Sequence, residues 1–174
     1  NRSLSASPAV RYASAIIGLA VNILEQFPEA EAVAGVATGA IAQGALVADA
    51  LALPFAYVRS KPKDHGMENL IEGELQKGRK VVVVEDLIST GGSSLKAVEA
   101  LRKAGYEVVG MVASYTYGFP VAEEAFANAG VKLVTLTNYE AVVAEALRTG
   151  YIQETDIPTL HAWRKDPANW RTSL

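Results

Sequence analysis

Cysteine is absent from all 174 residues, which excludes disulfide staples, thiolate metal ligands and thiol nucleophiles. Histidine is nearly as scarce: His65 and His161 are the only two, too few to build a multi-histidine metal centre. No apolar run is long enough to span a bilayer, and residues 1–7 are polar without the basic start of a secretory leader. A cytoplasmic protein is the simple expectation. No excess of basic charge exists either. The net charge of −3 argues against general nucleic-acid binding, while leaving room for a local basic patch facing a phosphorylated ligand. Internal repeats, low-complexity segments and interdomain linkers are also missing. Half the residues are hydrophobic and a fifth are charged, a balance that suits one α/β domain over residues 1–174.

Against those absences, residues 80–96, KVVVVEDLISTGGSSLK, concentrate most of the chemistry. Four consecutive valines read as a strand buried on both faces, as in a parallel sheet. Glu85 and Asp86 then stand at its carboxyl end, before the small-residue turn Ser89-Thr90-Gly91-Gly92-Ser93 and a helical pattern. In open α/β sheets ligands bind just beyond the carboxyl ends of strands. Glycines allow close backbone approach to an anion, and the helix start offers N–H donors and partial positive charge. The turn is not a P-loop, because no lysine follows the second glycine. Two acids would repel a phosphate alone, so they suit what comes with it: sugar hydroxyls, a divalent metal, or both. The plainer reading is a strand–turn–helix corner with solvated acids.

In chain order, Ser7-Pro8 reads as the start of a helix ending before Pro28. Val10, Ala13, Ile17, Ala20, Leu24 and Phe27 recur at helical spacing and predict its core face. Residues 32–36 predict a strand, followed by Ala37, Thr38 and Gly39 and a helix to about residue 51. That turn reads equally as a tight packing connection or as a second anion-binding loop. After a strand at 55–58, Arg59, Lys61, Lys63 and His65 fall within a stretch lacking apolar period. This is either a solvated loop or a cationic lid, and its length favours the lid. Residues 71–73 and 77–79 predict a hairpin leading into the valine strand. Further strands are expected at 108–113 and 131–137, with helices ending at Gly105, Gly130 and Gly150. Tyr115 and Tyr117 suit edge packing or a border to a base, and Trp163 and Trp170 suit packing anchors. The whole predicts a doubly wound, mainly parallel α/β sheet.

VVVVEDLISTGGSS resembles the 5-phosphoribosyl pyrophosphate (PRPP) motif of the type I phosphoribosyltransferases. YVRSKPKDHG is similar to the mobile catalytic loop of the orotate phosphoribosyltransferases among them, and the likeness runs from about residue 32 to 147. The resemblance implies Mg²⁺-dependent transfer of phosphoribosyl from PRPP to orotate, giving orotidine 5′-monophosphate and pyrophosphate in pyrimidine synthesis. It implies PRPP contacts from Arg59, Lys63, His65, Glu85, Asp86, Leu87, Ile88, Ser89, Thr90, Gly91, Gly92 and Ser93, with Lys63, His65 and Asp86 catalytic. Ala37, Thr38 and Gly39 become the pyrophosphate loop, commonly built with a cis peptide not preceding proline. Ser89 becomes the orotate contact, and Glu85 and Asp86 help place Mg²⁺ indirectly, PRPP holding most of it. A homodimer is implied, with loop 59–69 reaching the neighbouring site. Departures exist: Ser60 stands where many members have lysine, and no arginine lies between Arg102 and Arg148, where many carry one for the orotate carboxylate. Asn1-Arg2 is similar to the end of an Asp-Asn-Arg triplet closing a hood over the base. The expectation is a chain starting after that hood, binding PRPP but transferring to orotate weakly. A purine phosphoribosyltransferase and a non-catalytic PRPP-binding regulator are the alternatives.

Overall fold

A computed structural model describes residues 8–61 and 70–170. Six strands form one sheet: β1 (Ala32–Val36), β2 (Phe55–Val58), β3 (Ile71–Glu72), β4 (Lys80–Ile88), β5 (Glu107–Thr116) and β6 (Leu133–Asn138). Their order is β3-β2-β1-β4-β5-β6. All neighbours run parallel except β3, which pairs antiparallel with β2. The chain therefore winds outward in both directions from β1 and β4, and the crevice at their carboxyl ends is where such sheets bind ligands.

The valines of β4 explain its central place. Val81 and Val83 enter one core cluster, packed with Ala97, Val98 and Leu101 of α3 (Gly92–Lys103) and Phe126 of α4 (Pro120–Asn128). Val82 and Val84 enter the other, with Ile16, Leu19 and Ile23 of α1 (Pro8–Gln26) and Val47 of α2 (Ala40–Leu51). Burying each valine fully stabilises the fold by about 1.5–3 kcal/mol. Two further helices, α5 (Tyr139–Arg148) and α6 (Ile157–Lys165), follow β6.

Several boundaries and faces differ from the sequence expectation. Ala20 and, just past the end of α1, Phe27 are buried as expected, but the rest of the stripe is Ile16, Leu19 and Ile23, while Ile17 and Leu24 are 63% and 61% exposed. β3 does not form a hairpin with the valine strand; its two residues pair with Tyr57 and Val58 at the sheet edge. β4 runs on through the acids to Ile88, because Glu85, Leu87 and Ile88 still pair with Ala113, Tyr115 and Thr116. β5 likewise includes Tyr115 and Thr116. The doubly wound, mainly parallel architecture is as expected.

Candidate functional site

Two helix starts meet at the carboxyl edge of β1 and β4. Beyond β4, Gly91 adopts φ +80° as the N-cap of α3, with no side chain capping that end. A glycine is needed for this left-handed turn. The first helical hydrogen bond of the run is Leu95 N–H to the Gly91 carbonyl, 2.9 Å, so the amides of Gly92, Ser93 and Ser94 precede it. Beyond β1, Gly39 caps α2, again without a capping side chain. The Ala37–Thr38 peptide is cis, as the resemblance implies. Neither helix carries an acid in its first turn. Uncapped amides and the helix dipole make both ends suitable for anions.

The acids lie between these ends. A Cβ on Gly39 would come within 1.9 Å of Asp86 Oδ2, so only glycine lets the first loop pack against that carboxylate. Asp86 is partly exposed, and its Oδ1 accepts the Leu87 amide at 2.7 Å. Glu85 differs sharply. It is 4% exposed; its Oε2 accepts from Ser94 Oγ at 2.8 Å and its Oε1 from the Asp86 amide at 3.0 Å. Burial, reinforced by its hydrogen-bonded neighbour Asp86, lifts the Glu85 carboxyl from 4.5 to about 7, with the Ser94 bond opposing. The acid pair is thus one solvated carboxylate and one sealed beneath it, rather than two at an open strand end.

Two cavities flank this edge. One, of about 590 Å³, is lined by Ala37, Arg59, Ser60, Gly92, Ser93 and Lys96. Arg59 extends from the end of β2, and its Nη1 lies 3.4 Å from Glu72 Oε1 on β3. The second cavity, of about 580 Å³, begins at Ser89 and Thr90 and continues along Tyr117, Phe119 and Trp163. Leu87 is exposed, but Ile88 is fully buried and its carbonyl accepts the Tyr117 amide at 3.0 Å. The Ile88 side chain belongs to the core and its backbone to the β4–β5 ladder, so it supports the turn rather than touching a ligand with its side chain. Lys63 and His65 lie outside the described residues. Among the described residues, no group of three His, Cys, Asp or Glu side chains could cage a metal.

One structural participant is missed by sequence spacing. Loop 115–120 has no arginine of its own but is held by one from α6: Arg164 Nε donates to the Tyr117 carbonyl at 3.2 Å and Nη2 to the Gly118 carbonyl at 3.0 Å. Its Nη1 pairs with Glu140. Apolar Leu160 and Trp163, at i and i+3 before Arg164, were the available signal for α6.

A family model described as the phosphoribosyl transferase domain matches residues 8–147. The chain belongs to the phosphoribosyltransferases. It is 78% identical over 148 residues to the orotate phosphoribosyltransferase of Bacteroides thetaiotaomicron, covering 85% of this chain and 70% of that protein. The crystal structure of orotate phosphoribosyltransferase from Aeropyrum pernix matches with a TM-score of 0.71 and 34% identity, over 82% of this chain and 77% of that one. The Mycobacterium tuberculosis enzyme in complex with PRPP matches with a TM-score of 0.59 and 30% identity, over 72% and 73% of the two chains. These likenesses place the chain within the orotate branch of the type I family.

Proposed function

We propose that the protein transfers the 5-phosphoribosyl group of PRPP to orotate, releasing pyrophosphate and forming orotidine 5′-monophosphate. The observation that carries this reading is the meeting of two uncapped helix starts with the Glu85–Asp86 pair at one sheet edge. A ligand with a phosphate, a ribose and a pyrophosphate matches that arrangement group for group. Relatives bearing the orotate name supply the base.

The amides at the start of α3, with Ser89, Thr90 and Ser93, take the 5′-phosphate. Asp86 accepts ribose hydroxyl hydrogens at the exposed level, and Glu85 sits beneath it with both oxygens already engaged. The Ala37–Gly39 loop and Arg59 face the pyrophosphate, and Lys63 and His65 add charge to the same group. One partly solvated carboxylate suits a Mg²⁺ that keeps most of its ligands from phosphate oxygens, so Asp86 would hold it, with Glu85 behind. When bound, the metal neutralises charge on the departing pyrophosphate. As the bond from ribose C1 to the pyrophosphate oxygen breaks, positive charge spreads over the ribose, and a ring nitrogen of orotate attacks from the opposite face, its N–H proton passing to solvent or to the departing pyrophosphate. The chain's residues orient the two reactants and screen charge, and none forms a covalent bond to substrate. A homodimer with loop 59–69 crossing to the neighbouring site, in the cytoplasm, completes the reading.

The test is incubation with PRPP, Mg²⁺ and orotate, hypoxanthine or adenine in turn, following pyrophosphate release. Turnover with orotate alone is expected. Turnover with a purine would reassign the base, and PRPP binding without transfer to any base would favour a regulator.

A further inference from the structure

Orotate is a flat ring bearing a carboxylate, and a carboxylate held in a partly dry pocket needs a cation. The cations Arg59, Lys96 and Lys103 line the other cavity. Beside Ser89, only Arg164 and Lys165 among the described residues bring positive charge to the second cavity. Both come from the C-terminal helix α6. We propose that residues 157–170 form the outer wall of the base pocket, with Lys165 pairing with the orotate carboxylate and Arg164 positioning the wall. The proposal rests on the orotate reading above.

The wall is built. Trp163 packs at 5.6 Å from the Tyr117 ring and 5.5 Å from that of Tyr139, while Tyr117 stacks on Phe119 at 5.4 Å with 11° between planes. Such faces accept a planar heterocycle without much rearrangement. Tyr139 donates its hydroxyl to the Leu160 carbonyl at 3.1 Å, tying α6 to α5. Arg164 clamps the other side, bonding the Tyr117 and Gly118 carbonyls while Glu140 balances its charge. With donors from all three of its nitrogens engaged and a carboxylate already beside it, Arg164 serves the wall rather than the ligand. Lys165 is exposed in the last turn of α6 and has no acidic partner among the described residues. Its ammonium, on a long flexible stem, is the charge left available to an incoming carboxylate.

Lys165→Met and Lys165→Arg test this, with the wild type assayed alongside. Lys165→Met should raise KM for orotate about tenfold, the loss of one charge-assisted contact, with KM for PRPP changed less than about twofold. Lys165→Arg should restore most of the orotate affinity. Preference for orotate over uracil, which lacks the carboxylate, should fall by the same factor in Lys165→Met. Arg164→Lys should raise KM for orotate while weakening the change in tryptophan fluorescence on orotate binding, measured in a Trp170→Phe background that leaves Trp163 as the reporter, as expected of a residue acting through the wall. Wild type that transfers to orotate, paired with a Lys165→Met whose orotate KM is unchanged or moves equally with that of PRPP, overturns this proposal alone. Wild type that transfers nothing to orotate overturns the functional reading and this proposal together.

Discussion

Helix starts at the site differ from that of α5, while α4 and α6 carry a proline at their first or second position without a side-chain cap. α5 starts as surface helices usually do: Asn138 accepts the Ala141 amide at 2.9 Å, and Glu140 stands in the first turn. α2 and α3 start on Gly39 and Gly91, with no capping side chain and no first-turn acid. A good side-chain cap stabilises a helix by about 1 kcal/mol, so the two site helices forgo that and leave their amides to an external anion. Carboxylates divide differently. Glu140 pairs with Arg164 at the surface, whereas at the site Asp86 stays partly exposed above Glu85, whose oxygens are taken by Ser94 and the Asp86 amide. At the carboxyl edge of β1 and β4 the helix amides and Asp86 are left for a ligand, while α5 closes its own start.

The sharpest break of this contrast is Asp86→Asn. The substitution keeps the volume of a partly exposed side chain and removes the charge set between the two uncapped ends. Steady-state assay should show kcat/KM for PRPP falling about 1000-fold, with the melting temperature within a few degrees of wild type. Near-normal turnover would show that Asp86 has no role with the ribose or the metal. Gly39→Ala tests the same junction from the other loop. Gly39 has φ −61° and ψ −38°, which alanine adopts freely, so the backbone gives no reason for unfolding. Its methyl would collide with Asp86 Oδ2, and a displaced carboxylate should cost about 100-fold in kcat/KM. A fully active Gly39→Ala enzyme would mean the junction adjusts without consequence.

Much of this edge is legible in the sequence because its signals are local. The valine run, the acid pair and the glycine turn are contiguous, and the PRPP-like pattern reads through them in one pass. What is not legible depends on three dimensions. α1 carries Ile16, Ile17, Leu19, Ala20, Val21, Ile23 and Leu24, two overlapping apolar stripes, and spacing alone finds Ala20 and Phe27 but takes Ile17 and Leu24 for Ile16, Leu19 and Ile23. The burial of Glu85 follows from β4 extending past the acids, which is set by pairing with β5 rather than by the residues of β4. Arg164 reaches Tyr117 across 47 residues of chain, so its role belongs to packing and leaves no motif.

Glu85 offers a milder test at the same edge. Its carboxyl is lifted to about 7 in the folded protein, against 4.5 for the unfolded chain. Between those values the folded state keeps a proton that the unfolded state has released. The stability linked to this group is therefore whole below pH 4.5 and lost as pH rises through about 7, a change of at most about 3 kcal/mol. Melting temperature measured without ligand should accordingly fall over this range in wild type and fall less in Glu85→Gln. Identical pH profiles would show that Glu85 titrates as a solvated acid and that its burial carries no electrostatic cost.

Asn138→Ala should have the smallest effect, and an opposite pattern. Asn138 lies at the end of β6, exposed, and its side chain serves the Ala141 amide. Alanine leaves that amide to water at a cost of about 1 kcal/mol, which lowers the melting temperature of a domain this size by about 2–4 °C. Neither cavity at the β1–β4 edge is lined by Asn138, so kcat and both KM values should stay at wild-type levels. The pairing of results matters more than either alone. Activity lost with stability kept at Gly39, and stability lost with activity kept at Asn138, is what two classes of helix start require. Should Asn138→Ala impair turnover as Gly39→Ala does, capped and uncapped ends would not be functionally distinct, and the anion-binding role given to α2 and α3 would lose its main physical support.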